Sequence, residues 1–155
     1  MNRRASLVLV FSLLTVCTSA LAAKKPDPLA GHWELNLKKT HYGGGAQKRT
    51  QETFICTQQK DGVACTIHSA REDGSIVNAS FTAKYDGTAA LVSGLGDVDE
   101  IRLERVSDTI ASATFSYKGS YAFAYRATRS ADGKTLTGRI RGSGHAATAK
   151  VGGRL

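Results

Sequence analysis

Helical periodicity is nearly absent from this 155-residue sequence. Its absence excludes a helical bundle and leaves little room for the alternating helices of an α/β fold. Beyond residue 22 there is also no run of about 20 apolar residues, the length that a membrane-spanning helix needs. The two absences together predict an all-β protein with no transmembrane segment.

Recognisable catalytic and metal-binding motifs are missing as well. The four histidines have no zinc-like spacing, and there is no Gly-x-Ser-x-Gly nucleophile motif. The glycine run at 43–45 lacks the Lys-Ser/Thr pair that follows a phosphate-binding loop. Asp97, Asp99 and Glu100 cluster after a glycine-rich turn, and we interpret them as ordinary turn residues and not as a calcium site. We therefore expect a protein that is not an enzyme and that has no metal ion or cofactor.

The N-terminal residues have the pattern of a secretory signal peptide. Residues 3–4 are both arginine, residues 5–16 form an apolar run, and Ala20-Leu21-Ala22 has the small-x-small form of a cleavage site. The expected organisation is a signal peptide at 1–22, a mobile polar tether at 23–29 and a single domain at 30–155. This pattern predicts export to the periplasm or to the extracellular space.

Three cysteines are present in the whole chain. Cys17 lies at the end of the apolar run, but Val16 before it is larger than the small residue found at that position in bacterial lipoproteins. Cleavage after Ala22 is therefore the preferred interpretation, and lipidation of Cys17 is the alternative. Cleavage leaves Cys56 and Cys65, an even number of cysteines in an exported chain, as a disulfide requires.

Basic residues outnumber acidic ones, with 21 Lys and Arg against 13 Asp and Glu and a formal net charge of +8. A basic surface favours anionic partners. The basic residues are scattered, however, and no segment resembles a nucleic-acid-binding motif. Solubility is the simpler explanation of the charge, while an anionic surface or a secreted protein stays open as a partner.

Residues 51–71 predict a β-hairpin whose turn contains Asp61-Gly62, because this dipeptide tolerates the positive φ of a tight turn. A four-residue loop places Cys56 opposite Cys65 and gathers the apolar residues on one face, with Ile55 as the exception. A one-residue slip would mix the two faces. Opposed cysteines in an antiparallel pair come close enough to bond, so we predict a Cys56–Cys65 disulfide. Two free buried thiols are the alternative.

The rest of the chain also alternates between apolar and polar residues, with glycine-containing turns between the alternating segments. These segments are 30–37, 76–85, 89–93, 98–106, 109–117, 121–128 and 135–141, and the tail from 142 adds a candidate edge strand. Eight to ten short strands in one domain predict an up-and-down antiparallel β-barrel, because closure removes exposed sheet edges. A two-sheet sandwich is the alternative.

Several motifs resemble a largely uncharacterised family of small exported bacterial proteins with a lipocalin-like barrel. They are Gly31-x-Trp33-x-Leu35-Asn36, Ala83-Lys84-Tyr85-Asp86-Gly87 and the segment SADGKTLT at 130–137. The resemblance covers most of the chain after the signal peptide. It implies a lipocalin-like barrel in which Trp33 packs across the closed end beneath an arginine from a late strand. Arg126 and Arg139 are the candidates for that arginine.

Aromatic residues are expected to face the barrel interior and to line a site for a small apolar or amphipathic ligand. They are Phe81, Tyr85, Phe115, Tyr117, Phe123 and Tyr125. The competing interpretation is that they only fill the interior of a small barrel. The competing function is a protein-interaction module, such as an inhibitor of a secreted protease, whose N-terminal arm enters the cleft of its target. We expect a ligand-binding protein.

Overall fold

The computed structural model describes residues 26–43, 47–142 and 147–152, and most of this part of the chain is β-strand. The strands are β1 (Gly31–Glu34), β2 (His41–Tyr42), β3 (Arg49–Gln58), β4 (Gly62–Arg71), β5 (Ile76–Lys84), β6 (Asp86–Ser93), β7 (Glu100–Arg105), β8 (Ile110–Tyr117), β9 (Ser120–Arg129), β10 (Thr135–Arg141) and β11 (Ala147–Gly152). A short 3₁₀ helix spans Leu37–Lys39. None of the described residues belongs to a helix long and apolar enough to cross a membrane.

Strands β3 to β11 form an antiparallel meander in which each strand pairs with the next one along the chain. At one edge of the meander β1 pairs with β3, and at the other edge β2 pairs with β11. Since β1 and β2 belong to one stretch, residues 31–42, that stretch bridges both edges and nearly closes the sheet into a barrel. The predicted up-and-down β-barrel is confirmed. The last strand, expected as an edge, has a neighbour on each side.

The hairpin of β3 and β4 has the predicted register. Cys56 lies opposite Cys65, and the two form a disulfide bond with their Cα atoms 4.2 Å apart. Both cysteines are buried, whereas Ile55, the apolar residue expected on the other face, is 42 % exposed. The Asp61-Gly62 turn and the alternation of apolar residues therefore predict the same register. That register brings the two cysteines together, so the position of the disulfide bond follows from it.

The first predicted strand is shorter than its alternating pattern suggested. β1 ends at Glu34, and Leu37 lies in the 3₁₀ helix with 47 % of its surface exposed. The alternating segment 30–37 therefore extends beyond the strand, because the chain leaves β3 at this point and crosses to β11. Strand β2 lies outside every segment that the sequence pattern predicted as a strand.

Residues 26–29 pack against the barrel. Asp27 and Leu29 are 3 % and 2 % exposed, and Pro28 is fully buried. The sequence predicts a mobile tether over 23–29, but residues 26–29 are held against the barrel. Hydrogen bonds to Asp27 hold them there, and the alternation of apolar residues gives no sign of these bonds. Residues 1–25, with the predicted signal peptide, lie outside the described residues.

Trp33 and several other fully buried side chains lie toward the end of the barrel where β1 begins, which we call the closed end. They are Trp33, Val63, Leu103, Ala111, Ala127 and Leu136, each no more than 1 % exposed. We call the opposite end, where β3 begins and β4 ends, the mouth. Ile101 and Val98, near the start of β7, are buried in the mouth half as well, at 1 % and 2 % exposure.

Candidate functional site

Trp33 fills the closed end of the barrel. Its indole Nε1–H donates a hydrogen bond to the carbonyl oxygen of Leu29 at 2.8 Å, and the side chain is 1 % exposed. Gly31 has a φ of +152°, and a Cβ at this position would lie 2.9 Å from the indole ring. The Gly31-x-Trp33 spacing therefore serves packing, because only glycine leaves the ring room to fold back over the strand.

An arginine from a late strand lies over Trp33, but it is Arg129. Its Cζ atom is 5.5 Å from the centroid of the Trp33 ring, within the range of a cation–π contact. The prediction of Arg126 or Arg139 is wrong: these two pair with each other across β9 and β10 and face solvent. Arg129 is four residues after the inward-facing Tyr125 on β9, so the alternation of a strand places both on the inner face. That alternation is the sequence signal that could have identified Arg129 as the partner of Trp33.

Asp27 fastens the N-terminal segment to the barrel. Its Oδ1 atom accepts hydrogen bonds from the backbone N–H of Leu29 and of Ala30 and from the hydroxyl of Tyr85, all at 2.8 Å. Arg129 donates from Nη1 to the Asp27 carbonyl oxygen at 2.7 Å. Burial, followed by the contact with Asp27, raises the pKa of Tyr85. Tyr85, predicted to line a ligand site, thus has its hydroxyl engaged at the closed end.

The remaining predicted liners have three different placements. Phe81 is buried on β5. Phe115 and Phe123 face each other on β8 and β9 and stack, with ring centroids 4.6 Å apart and an interplanar angle of 23°. The Tyr125 ring lies against Gly138 of β10, where a Cβ would be 2.6 Å from the ring. Glycine at 138 therefore leaves the space that the tyrosine ring occupies.

Tyr117 is the last residue of β8 and is 41 % exposed, so it is not part of a buried lining. The pairing of β8 with β9 shifts register between Phe115 and Ser116, but Ser116 still lies opposite Glu100 and its hydroxyl is 3.4 Å from Glu100 Oε1. Lys118 Nζ lies 5.2 Å from the centroid of the Tyr117 ring. The prediction of Tyr117 as an interior liner is wrong, because the strand ends at this residue and leaves its ring open to solvent.

Four inward-facing side chains on β3, β4 and β9 are only partly buried. Phe54 and Ile67 on the walls of β3 and β4, and Phe123 and Tyr125 on β9, pack against the core yet keep part of their surface exposed. In this part of the barrel, apolar rings and aliphatic groups therefore keep surface that solvent reaches.

Polar side chains occur among these apolar groups, and we call Arg49, Glu52, Ser69 and Tyr125 the mouth cluster. Glu52 has the same parity as Phe54 on β3, so it faces inward, and its side chain is 16 % exposed. Its Oε2 atom pairs with Nε of Arg49 at 2.8 Å. Ser69 lies opposite Glu52 in the β3–β4 register and is 2 % exposed.

Electrostatic effects link the two walls of the mouth. Burial raises the pKa of Glu52, an effect that Arg49, Ser69 and Arg71 oppose. Burial and the negative charge of Glu52 raise the pKa of Tyr125. Tyr125 is on β9, which is not a neighbour of β3 in the sheet, so the two side chains approach each other through the interior. Sequence alternation placed Tyr125 inward, but the partnership with Glu52 depends on the closure of the barrel.

A separate groove of about 420 Å³ lies on the outside of the barrel, across β3, β4, β5 and β6. Ile55 and Leu91, which are 42 % and 84 % exposed, border it together with threonine and serine side chains. No charged residue lines this groove. Because Ile55 and Leu91 face away from the interior, the groove is a second place where a small apolar molecule has exposed apolar side chains to contact.

Comparisons with known proteins identify no relative. No protein-family model matches the sequence, and no curated protein and no solved structure is significantly similar to it. Within the described part of the chain, no three His, Cys, Asp or Glu side chains are grouped so as to hold a metal ion. The arrangement that the barrel does offer is a set of partly exposed, inward-facing apolar side chains with the Arg49–Glu52 ion pair and hydroxyl groups beside them.

Proposed function

We propose that the protein is an exported, non-enzymatic carrier of the lipocalin-like type, which holds a small apolar or amphipathic molecule in the mouth half of its barrel. The observation that carries this proposal is a set of inward-facing apolar side chains that are not fully buried. Phe54, Ile67, Phe123 and Tyr125 pack against the core of the barrel and keep part of their surface exposed. Concave apolar surfaces with a few polar groups are the usual form of small-molecule sites.

The energetics of apolar burial are adequate for such a role. Removing apolar surface from water contributes about 25 cal/mol per Å². A ligand that buries about 300 Å² therefore gains roughly 7 kcal/mol, in the range of a micromolar dissociation constant. The ring of Phe123 is partly exposed and is held by stacking on the buried ring of Phe115, so it loses little entropy when a ligand binds.

Titration with the neutral fluorescent probe N-phenyl-1-naphthylamine tests the proposal. We expect saturable binding with a micromolar dissociation constant. Tyr125→Ala should weaken binding several-fold, while Tyr121→Ala, on the same strand but 60 % exposed, should not. Leu91→Ser removes the apolar contact of the outer groove and should also leave binding unchanged. Probe binding that is lost in Leu91→Ser and kept in Tyr125→Ala would place the ligand outside the barrel and refute the carrier proposal.

Export is the second part of the proposal. The supporting features are the arginine-led apolar run at 3–16, the Ala20-Leu21-Ala22 motif and the Cys56–Cys65 disulfide, which fits an oxidising compartment. We expect a mature N-terminus at Ala23 or within one residue of it. The intact mass of protein secreted by its host measures this directly, and a diacylglyceryl group on Cys17 would support the lipoprotein interpretation instead.

The protease-inhibitor alternative receives less support from the N-terminal segment. Asp27 and Leu29 are buried, and Arg129 binds the Asp27 carbonyl group. If cleavage follows Ala22, only residues 23–25 precede the fastened segment that begins at Pro26. An arm of three residues, each at most about 3.6 Å long when extended, reaches roughly 11 Å, which is short for entry into a protease cleft.

A further inference from the structure

The mouth cluster is rich in hydrogen-bond donors. Of the three guanidinium nitrogen atoms of Arg49, Nε is the one that pairs with Glu52. The N–H donors of its two Nη atoms have no partner among the described residues. The Ser69 hydroxyl lowers the pKa of Glu52, yet it forms no hydrogen bond of normal geometry in the described part of the chain. A buried hydroxyl group without a partner costs free energy, and a ligand that supplies an acceptor would remove that cost.

The charges near the cluster favour an anion. Arg49 and Arg71 both act on Glu52, so two guanidinium groups stand against one carboxylate in the immediate surroundings of this side chain. A cationic ligand would have to compete with both arginines for Glu52. An anionic group instead meets the free donors of Arg49 and the hydroxyl of Ser69, and charge-assisted bonds from arginine to a carboxylate are among the strongest in proteins.

We propose that the ligand carries a carboxylate group, which binds Arg49 and Ser69 at the mouth while its apolar tail lies between Phe54 and Phe123. This inference rests on the proposed carrier function and adds the chemical class of the ligand. The polar and apolar groups occupy one continuous interior surface, since Glu52 and Phe54 are inward-facing neighbours on β3 and Tyr125 and Phe123 are inward-facing neighbours on β9. A molecule with an acid at one end and a tail at the other matches that order.

The test compares two probes that differ only in charge: 11-(dansylamino)undecanoic acid and its methyl ester. We expect the wild-type protein to bind the acid about tenfold more tightly than the ester, an effect in the range of one charge-assisted hydrogen bond. Equal affinities would overturn the carboxylate inference and leave the carrier proposal intact. Absence of saturable binding by either probe would overturn both. Neither result depends on a variant being folded.

Variants assign the preference to the cluster. Arg49→Gln should remove the tenfold preference while Arg49→Lys keeps most of it, and Arg126→Gln, an exposed change on the outer surface, should keep all of it. Glu52→Gln removes the competing carboxylate and should tighten binding of the acid alone. A loss of affinity for acid and ester by the same factor in Arg49→Gln would mean that Arg49 only supports the structure, and the assignment of the carboxylate to this arginine would be wrong.

Discussion

Arg129 lies over the indole ring of Trp33 and donates hydrogen bonds to the carbonyl oxygens of Asp27 and Ala30, at 2.7 and 2.9 Å. Arg129 is the last residue of β9. Its guanidinium group therefore joins the end of this strand to the N-terminal segment and to the ring that fills the closed end. The three contacts connect parts of the chain that are about a hundred residues apart. Closure of this end therefore depends on a long-range interaction and not on the β1 strand alone.

The first prediction follows from these contacts. Arg129→Met should lower the free energy of unfolding by about 2–3 kcal/mol, since it removes a cation–π contact and two hydrogen bonds. Arg126→Met, an exposed change on the same strand, is the matched control and should cost less than about 0.5 kcal/mol. Urea unfolding followed by the fluorescence of Trp33, the single tryptophan, measures both. Equal stability of the two variants would show that Arg129 does not hold the closed end.

Tyr85 gives a second prediction at the same end. Tyr85→Phe removes one of the three hydrogen bonds to Asp27 Oδ1 and should cost about 2 kcal/mol, as expected for a bond to a charged acceptor. The control is Tyr121→Phe, because the Tyr121 hydroxyl bonds to the Arg141 carbonyl oxygen on the exposed surface. Thermal unfolding by circular dichroism compares them. A destabilisation as large in Tyr121→Phe as in Tyr85→Phe would contradict the role assigned to Asp27.

The disulfide gives a third. Cys56 and Cys65 are 9 residues apart, and on the chain-entropy model a loop of this length contributes about 2–3 kcal/mol. The Cys56→Ala/Cys65→Ala variant should therefore fold but melt at a lower temperature than the oxidised protein. Thr57→Ala, at the neighbouring outward position, serves as the control. Free thiols in protein made by the exported route would contradict the bond itself.

Glu52 gives a prediction about pH. Burial raises its pKa in the folded protein above the ordinary value of 4.5, so the folded state binds more protons than the unfolded state just above that pH. The stability that the protonated group contributes is complete below pH 4.5 and is lost as pH rises through the folded pKa. Glu52→Gln should flatten this part of the profile. Urea unfolding between pH 4 and 8 tests it, and an unchanged pH dependence in Glu52→Gln would show that another group is responsible.

The sequence was sufficient to predict features that depend on neighbouring residues. The Asp61-Gly62 turn and the alternation of residues 51–71 specify one register, so the position of the disulfide followed without a structure. Barrel closure was predictable because many short strands leave edges that must be covered. Parity also held for Phe115, Phe123 and Tyr125, which all face inward.

Features that depend on strand ends or on closure were not predictable in the same way. Tyr117 is 41 % exposed because β8 ends at this residue, and alternation alone does not mark where a strand ends. Asp27 is an ordinary acidic residue beside a proline until Tyr85 and Arg129 are brought to it. The pairing of Glu52 with Tyr125 across the interior likewise exists only once the barrel is closed.

The most direct test of the central claim is an isotope-filtered nuclear Overhauser measurement on ¹³C-labelled protein with bound, unlabelled N-phenyl-1-naphthylamine. The carrier proposal predicts contacts from the probe to the side chains of Phe54, Ile67 and Phe123 inside the mouth. Contacts confined to Ile55 and Leu91 would place the probe in the outer groove and contradict the claim that the barrel interior is the binding site.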